Sequence, residues 1–512
     1  MMDGGNTAGF MPFQSNSVDR PNLKSSLDLS GMVRSGMLWS LLGTIISKGA
    51  SFASQLVLGW LLSKEDFAIY AIAISWSTIV MALKNGGTQR LLIQKGSQYS
   101  DLASVYLKIA ILFNSMGLVL LGIVAPIAST VYESKQLPIL IWVLALSLPI
   151  GSAANIFQAK LSSDLMFEKL ARLTSWSALI RYTSMTAFAW GGLGPLSFVL
   201  PLLLVALFET GIGYLWAGGW PRNIRLTWPM IIEVLRDTRW VMVTALASAL
   251  TLNGDYIAVS LLQTKEVLGV YFFGFQLSLA LVVLFTNSLD SVMLPTFSHL
   301  NIDIPRQQAV FLKGVQLLTI GATFACFALL ISAQPLIHFL WGGKWDSSIP
   351  VVQLLSLSMP VRLVVPLCRS ILEARGLWRV VSFLFIADGA GTVLAGAVGA
   401  WDGSLYKIAV VVSGYNLLFG LLYCGVAAYK LETPLKDIFA PIGFTFGIGL
   451  LAVVTCSMVG ALTNFNFIDM GHATMLFAVY VGTYLLLTRM FLPQRFSDVM
   501  NLTFRRITPS LR

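Results

Sequence analysis

An all-α polytopic membrane protein, with about fourteen helices in two pseudo-symmetric bundles around a central cavity, is the fold class this sequence predicts. Three observations predict it. The chain of 512 residues is 56% hydrophobic and only 11% charged, with a mean hydropathy of +0.76. An ordinary soluble domain carries about 25% charged residues, so a water-exposed surface of this size cannot be built. Apolar runs of eighteen or more residues recur along the whole chain, and each reads as a membrane-spanning helix. They lack the period-two alternation of transmembrane β-strands. Finally, a short pattern recurs at an offset of about 200 residues, which divides the spans into two halves.

A window of about 20 residues places the spans, in order, at 36–62, 67–88, 102–131, 138–160, 170–192, 195–218 and 237–262. The second half continues with 268–297, 308–341, 348–374, 378–401, 404–430, 441–463 and 472–491. Turn chemistry marks three joints: Gly191-Gly192-Leu193-Gly194-Pro195, Trp341-Gly342-Gly343-Lys344 and Trp401-Asp402-Gly403-Ser404. The division that follows is a polar tail at 1–35, an N-lobe at 36–218, an inter-lobe linker at 219–236, a C-lobe at 237–430, a terminal helix pair at 431–491 and a tail at 492–512. The first tail has no apolar segment of signal-peptide type and reads as a disordered cytoplasmic extension.

Charge orients the spans. With the amino terminus inside, the inner loops and tails, counted with the span ends that flank them, hold 23 Lys and Arg, against five on the outer side: Lys64, Lys135, Lys265, Lys344 and Lys407. That bias puts both termini in the cytoplasm. It also accounts for the net charge of +10 without nucleic acid. The four cysteines are scattered through apolar segments and the three histidines lie far apart, so spacing offers no metal site and no cofactor.

The internal repeat is carried by Leu61-Leu62-Ser63-Lys64-Glu65-Asp66-Phe67-Ala68-Ile69-Tyr70 after the first span. Its counterpart after the seventh is Leu261-Leu262-Gln263-Thr264-Lys265-Glu266-Val267-Leu268-Gly269-Val270-Tyr271. Trp39 and Trp240 open those spans at the same offset. Six spans separate the copies, so the repeat is parallel, about an axis along the membrane normal.

Charged residues inside spans are costly and mark candidate sites. In the first span Ser40, Thr44, Ser47, Lys48, Ser51, Ser54 and Gln55 share one face, repeated in the seventh by Thr244, Ser248, Thr251 and Asp255. Both stripes are expected to line the cleft, unless their hydroxyls only pack helices closely. The tenth span is interrupted by Pro360 and Pro366 and carries Arg362, Arg369 and Glu373. Stacked arginines on a kinked helix suit an anionic group, although Arg369 and Glu373 are also spaced to pair with each other. Arg181 lies mid-span in helix five, while Lys84 and Lys108 are placed to snorkel. The candidate anion and sugar ligands are therefore Lys48, Arg181, Arg362, Arg369, Ser51 and Gln55. The buried acids Asp255, Glu209, Asp290 and Asp388 are candidates for ion coupling or for pairing with these cations. No P-loop and no soluble catalytic segment occur, so the chain reads as a transporter and not an enzyme.

The stretch GMLWSLLGTIISKGASFASQLVLGWLLSKEDFAIYAIA, followed by GGTQRLLIQKG (residues 36–96), resembles polysaccharide-transporter (Wzx-type) flippases. These belong to the multidrug/oligosaccharidyl-lipid/polysaccharide exporter superfamily. FQAKLSSDLMFEKLARL and SVMLPTFSHL are further similar stretches. Where the family tends to have Leu-Leu-Gly-Pro-Glu-Asp-Phe-Gly-x-Tyr, this chain has Ser63-Lys64 for Gly-Pro and Ala68 for the second Gly. The resemblance covers about residues 30–430; the last two spans match in hydropathy only. It implies a MATE-like fold and translocation of undecaprenyl-pyrophosphate-linked oligosaccharide repeat units across the bacterial inner membrane by alternating access, for exopolysaccharide, capsule or O-antigen. It also implies a polysaccharide polymerase and a chain-length regulator as partners, besides membrane lipid. A peptidoglycan-precursor flippase or a cation-coupled drug exporter of the same superfamily are the alternatives, with a membrane polymerase or glycosyltransferase less favoured. No family motif fixes the site residues named above, which rest on span position alone.

Overall fold

A computed structural model describes residues 43, 46–84, 92, 99–164, 166–221, 226–300, 303–462 and 470–493. Both predicted tails, together with Trp39, Ser40 and Thr44, lie outside the described residues or nearly so. In chain order the helices are α1 (46–61), α2 (Lys64–Lys84), α3 (Tyr99–Val131), α4 (Leu137–Ser163), α5 (Phe167–Trp190) and α6 (Leu196–Ala217). The second set is α7 (Trp228–Leu262), α8 (Lys265–His299), α9 (Ile304–Trp341), α10 (Ile349–Arg362), α11 (Val365–Ala374), α12 (Trp378–Ala400) and α13 (Leu405–Lys430). The chain ends in α14 (Leu435–Leu462) and α15 (Met470–Phe491). Among the described residues there is no strand, and ten segments are long and apolar enough to cross a membrane. The protein is a multi-pass membrane protein.

Helix ends follow local chemistry. The Thr264 and Asp303 side chains accept from the Val267 and Arg306 amides and start α8 and α9. Gly218 and Gly342 close α6 and α9 in the left-handed conformation that a residue without Cβ adopts freely. The predicted tenth span is broken rather than kinked. Pro366 lacks the amide that would bond back to the Arg362 carbonyl and suits the first turn of a helix, so α10 ends at Arg362 and α11 begins at Val365. The segment read as a linker is helical from Trp228. Leu226, Met230, Ile231 and Val234 pack it against Phe157, Ala217 and α3, so it is docked on the N-lobe.

Within the first lobe α4 packs on α3 and α6, and α5 on α6; in the second, α12 packs on α7 and α13, and α10 on α9 and α13. Helices α14 and α15 lie against α9, where the Tyr480 and Tyr484 hydroxyls donate to the Phe324 and Ile320 carbonyls at 3.0 and 2.9 Å. Helix α2 crosses to the second lobe and packs on α7 and α8. The largest core cluster runs through that crossing, joining Phe67 and Tyr70 to Phe198, Phe272, Phe273 and Trp345.

Candidate functional site

Two polar clusters and one seam between the lobes stand out against this apolar body. The first cluster belongs to α1 and α5. The Ser54 hydroxyl donates to the Tyr182 carbonyl at 3.3 Å and meets the Thr186 hydroxyl at 3.2 Å, clamping the two helices together. The stripe on α1 is thus divided: Ser54 is spent on packing within its own lobe, while Lys48, Ser51 and Gln55 are half-buried. Helix α5 brings Arg181 over the Tyr182 ring at 5.6 Å, and Lys48 lies within electrostatic reach of the same tyrosine. Two cations distant in sequence therefore act on one tyrosine, Arg181 over its ring and Lys48 through its field. Among the described residues the buried Arg181 Nε atom has no partner, and neither cation has a carboxylate in ion-pair contact.

The second cluster joins α7, α8, α10, α12 and α13. Asp255 is 1% exposed. It accepts from the Tyr271 hydroxyl at 2.6 Å and from the Tyr256 amide at 3.0 Å. The Tyr415 hydroxyl reaches Asp388 at 3.1 Å. Arg362, at the broken end of α10, donates to Asn416 and to the Thr251 carbonyl, and both carboxylates feel its charge. Two buried polar atoms around it, Tyr256 Oη and Asn416 Nδ2, have no partner among the described residues. Sequence reasoning named Arg362 for the anion and Asp255 and Asp388 for ion coupling or for pairing with such a cation; the three lie in one network. It missed Tyr271, Tyr415 and Asn416, which look like ordinary apolar-span residues.

The remaining candidates lie apart. Arg369 pairs with Glu373 at 3.8 Å and covers the Phe385 ring at 5.8 Å. Glu209 accepts from Gln158 at 3.2 Å. Asp290 lies on α8, and its side chain is outside the described residues, as is that of Lys84.

The hydrogen bonds and ion pairs that join described residues of the two lobes gather at the end assigned outside by the lysine bias. Lys64 meets Glu266 at 3.0 Å and Lys265 meets Glu65 at 3.7 Å. Tyr132 bridges Trp76 and Ser260 at 3.2 and 2.9 Å. Lys344 Nζ donates to the carbonyls of Gly59, Trp60 and Leu62 at 3.0, 3.0 and 2.6 Å. Burial lowers its affinity for the proton below the ordinary lysine value, with Asp66 opposing. The lobes are closed on each other at this end.

Comparison with known proteins adds the following. The family model described as polysaccharide biosynthesis protein matches residues 57–350. The succinoglycan biosynthesis transport protein ExoT of Rhizobium meliloti (strain 1021) is 23% identical over 403 residues, covering 78% of this chain and 81% of that one. Among solved structures, the lipid II flippase MurJ in an inward closed conformation superposes with a TM-score of 0.70 at 13% identity, over 90% of this chain and 99% of that chain. An inward-facing multidrug resistance MATE family transporter of the MOP superfamily gives 0.61 at 11% identity, over 76% and 96%. At such identities these two likenesses speak for the fold alone, which is the MATE-like fold expected.

Proposed function

The chain belongs to the polysaccharide biosynthesis protein family, and from that premise we propose that it is a flippase. It carries polyprenyl-pyrophosphate-linked oligosaccharide repeat units across the bacterial inner membrane by alternating access, with both termini in the cytoplasm. The polymerase and chain-length regulator that take up the flipped unit are its functional partners. The name of ExoT, a transport protein of succinoglycan biosynthesis, supports the glycan class. The observation that supports the reading is Arg181 over the Tyr182 ring, with Lys48 in electrostatic reach of the same tyrosine and no carboxylate paired with either cation among the described residues. A pyrophosphate is the costly part of the cargo in hydrocarbon, and two cations with no acid paired to them among the described residues offset that cost. Ser51 and Gln55, on the Lys48 face of α1, give hydroxyl and amide groups to the sugar. Arg362 is assigned with Asp255 and Asp388 to ion coupling, since its charge reaches both carboxylates; Arg369, paired to Glu373, and Glu209, held by Gln158, are peripheral.

Deletion of the gene followed by localisation of lipid-linked intermediates tests the reading. Repeat units stranded on the cytoplasmic leaflet are expected. Normal glycan output with altered drug tolerance overturns it in favour of a drug exporter, and arrest of cell-wall synthesis overturns it in favour of a peptidoglycan-precursor flippase. Lys48→Ala and Arg181→Ala should each lower export about tenfold to a hundredfold at normal expression, the value of one charge-assisted contact of about 1.5–3 kcal/mol. Wild-type export in both refutes the anion site.

A further inference from the structure

The seam between the lobes has an internal logic that the transport cycle requires but does not itself supply. Each repeat presents a Lys-Glu dipeptide at the same register, Lys64-Glu65 in one and Lys265-Glu266 in the other, and each lysine pairs with the other repeat's glutamate. This is the self-complementary contact of a two-fold interface, made within one chain. Glu65 and Glu266 are 63% and 70% exposed, and such pairs set register more than they hold. The holding is done by the turn at 338–346. The last carbonyls of α1 have no partner within their own helix; Lys344 and the Trp345 indole of the opposite lobe satisfy those of Gly59 and Trp60, Lys344 also reaches Leu62 just past the helix, and the Trp341 indole donates to the Leu56 carbonyl one turn earlier. Gly59 makes this approach possible, because a Cβ there would enter the Trp341 ring. Trp345 then stacks on Phe273 at 3.9 Å and meets Phe67 edge-on at 5.0 Å. His338 and Asp346, 2.8 Å apart, tie the two ends of the turn together.

We infer that the 338–346 turn is a latch that caps α1 in trans, with Lys344 as its bolt and the reciprocal Lys-Glu pairs as its guides, and that it must be withdrawn for the outer end of the cleft to open. A cap supplied by the other lobe makes the end of α1 a sensor of lobe closure: its carbonyls are bonded by protein when the lobes meet and by water when they part. The span bounds read from the sequence put those carbonyls at the aqueous end of α1, so withdrawal strands no polar group in hydrocarbon and the step is reversible.

Cysteine labelling tests the latch. The four native cysteines are buried. Ser260, buried and bonded to Tyr132 across the seam, becomes the reporter as Ser260→Cys in the full-length protein. A membrane-impermeant maleimide added outside intact spheroplasts should label it slowly. Adding Lys344→Met or Gly59→Ala should raise the rate about tenfold or more, a shift of closed toward open, and Lys344→Arg should stay near the slow rate. Unchanged labelling in Lys344→Met and Gly59→Ala overturns the latch. Should those variants accumulate poorly, Lys64→Cys with Glu266→Cys provides a second test. Bridging the pair with a cleavable bis-methanethiosulfonate should stop glycan export and a reductant should restore it; export through the bridged protein overturns the latch. The purpose of the latch rests on the transport reading, but labelling needs no substrate, so gating can fail while transport stands and the reverse.

Discussion

Arg362 shows how a charge is kept at mid-membrane. Its guanidinium is shared between Asn416, the Thr251 carbonyl and the fields of Asp255 and Asp388. Removing one member of a buried ionic network costs about 3–5 kcal/mol, because the partners remain charged and uncompensated. Arg362→Leu should therefore lower the thermal midpoint of the purified protein by several degrees, and Asp388→Asn in the same chain should recover part of that loss. An unchanged midpoint in the single variant would show that the carboxylates do not depend on the arginine. At this scale the sequence was readable only over short distances. Arg369 with Glu373 follows from helical spacing, and the structure has that pair. Nothing in the spacing of Lys48 and Arg181 says that α1 and α5 bring both to Tyr182.

Helix pairing depends on where side chains are missing. Along α12, a Cβ on Gly396 would lie 2.8 Å from the Asp255 Cα atom, and one on Gly389 would lie 2.9 Å from the Ala247 carbonyl. These contacts let α7 and α12 approach closely, the usual basis of association in lipid, and they hold Asp255 at its depth. Gly396→Val should push the helices apart, destabilising the protein by about 1–3 kcal/mol and reducing transport through the displaced Asp255. By contrast Gly447→Ala on α14, where a Cβ meets nothing within 4 Å, should be neutral or stabilise by up to about 1 kcal/mol through helix propensity. Thermal inactivation of the two variants, measured side by side, decides it; equal stability would mean that the α7–α12 contact yields without cost. Hydropathy found the helices because lipid demands length and apolarity of every span. It could not find that the tenth breaks at Leu363-Val364 or that the linker is helical from Trp228, since both depend on which tertiary partners are at hand.

At the scale of the molecule, the repeat seen in two loops became the seam of the structure. The offset that maps Lys64 to Lys265 and Glu65 to Glu266 also maps Tyr70 to Tyr271, and both tyrosines are buried near the crossing of α2 with the second lobe. A parallel repeat can close on itself in this way only if both copies of the loop face the same side of the membrane, so topology and gating are one claim. The lysine bias assigns that side to the outside. Alkaline phosphatase fused after Lys135, Lys344 or Lys407 should be active, and fused after Lys169, Arg306 or Lys430 inactive, with green fluorescence following the opposite pattern. The reversed result would put the closed end of the cleft in the cytoplasm. The structure would then represent the state open to the outside, and the latch would govern loading of the substrate instead of its release.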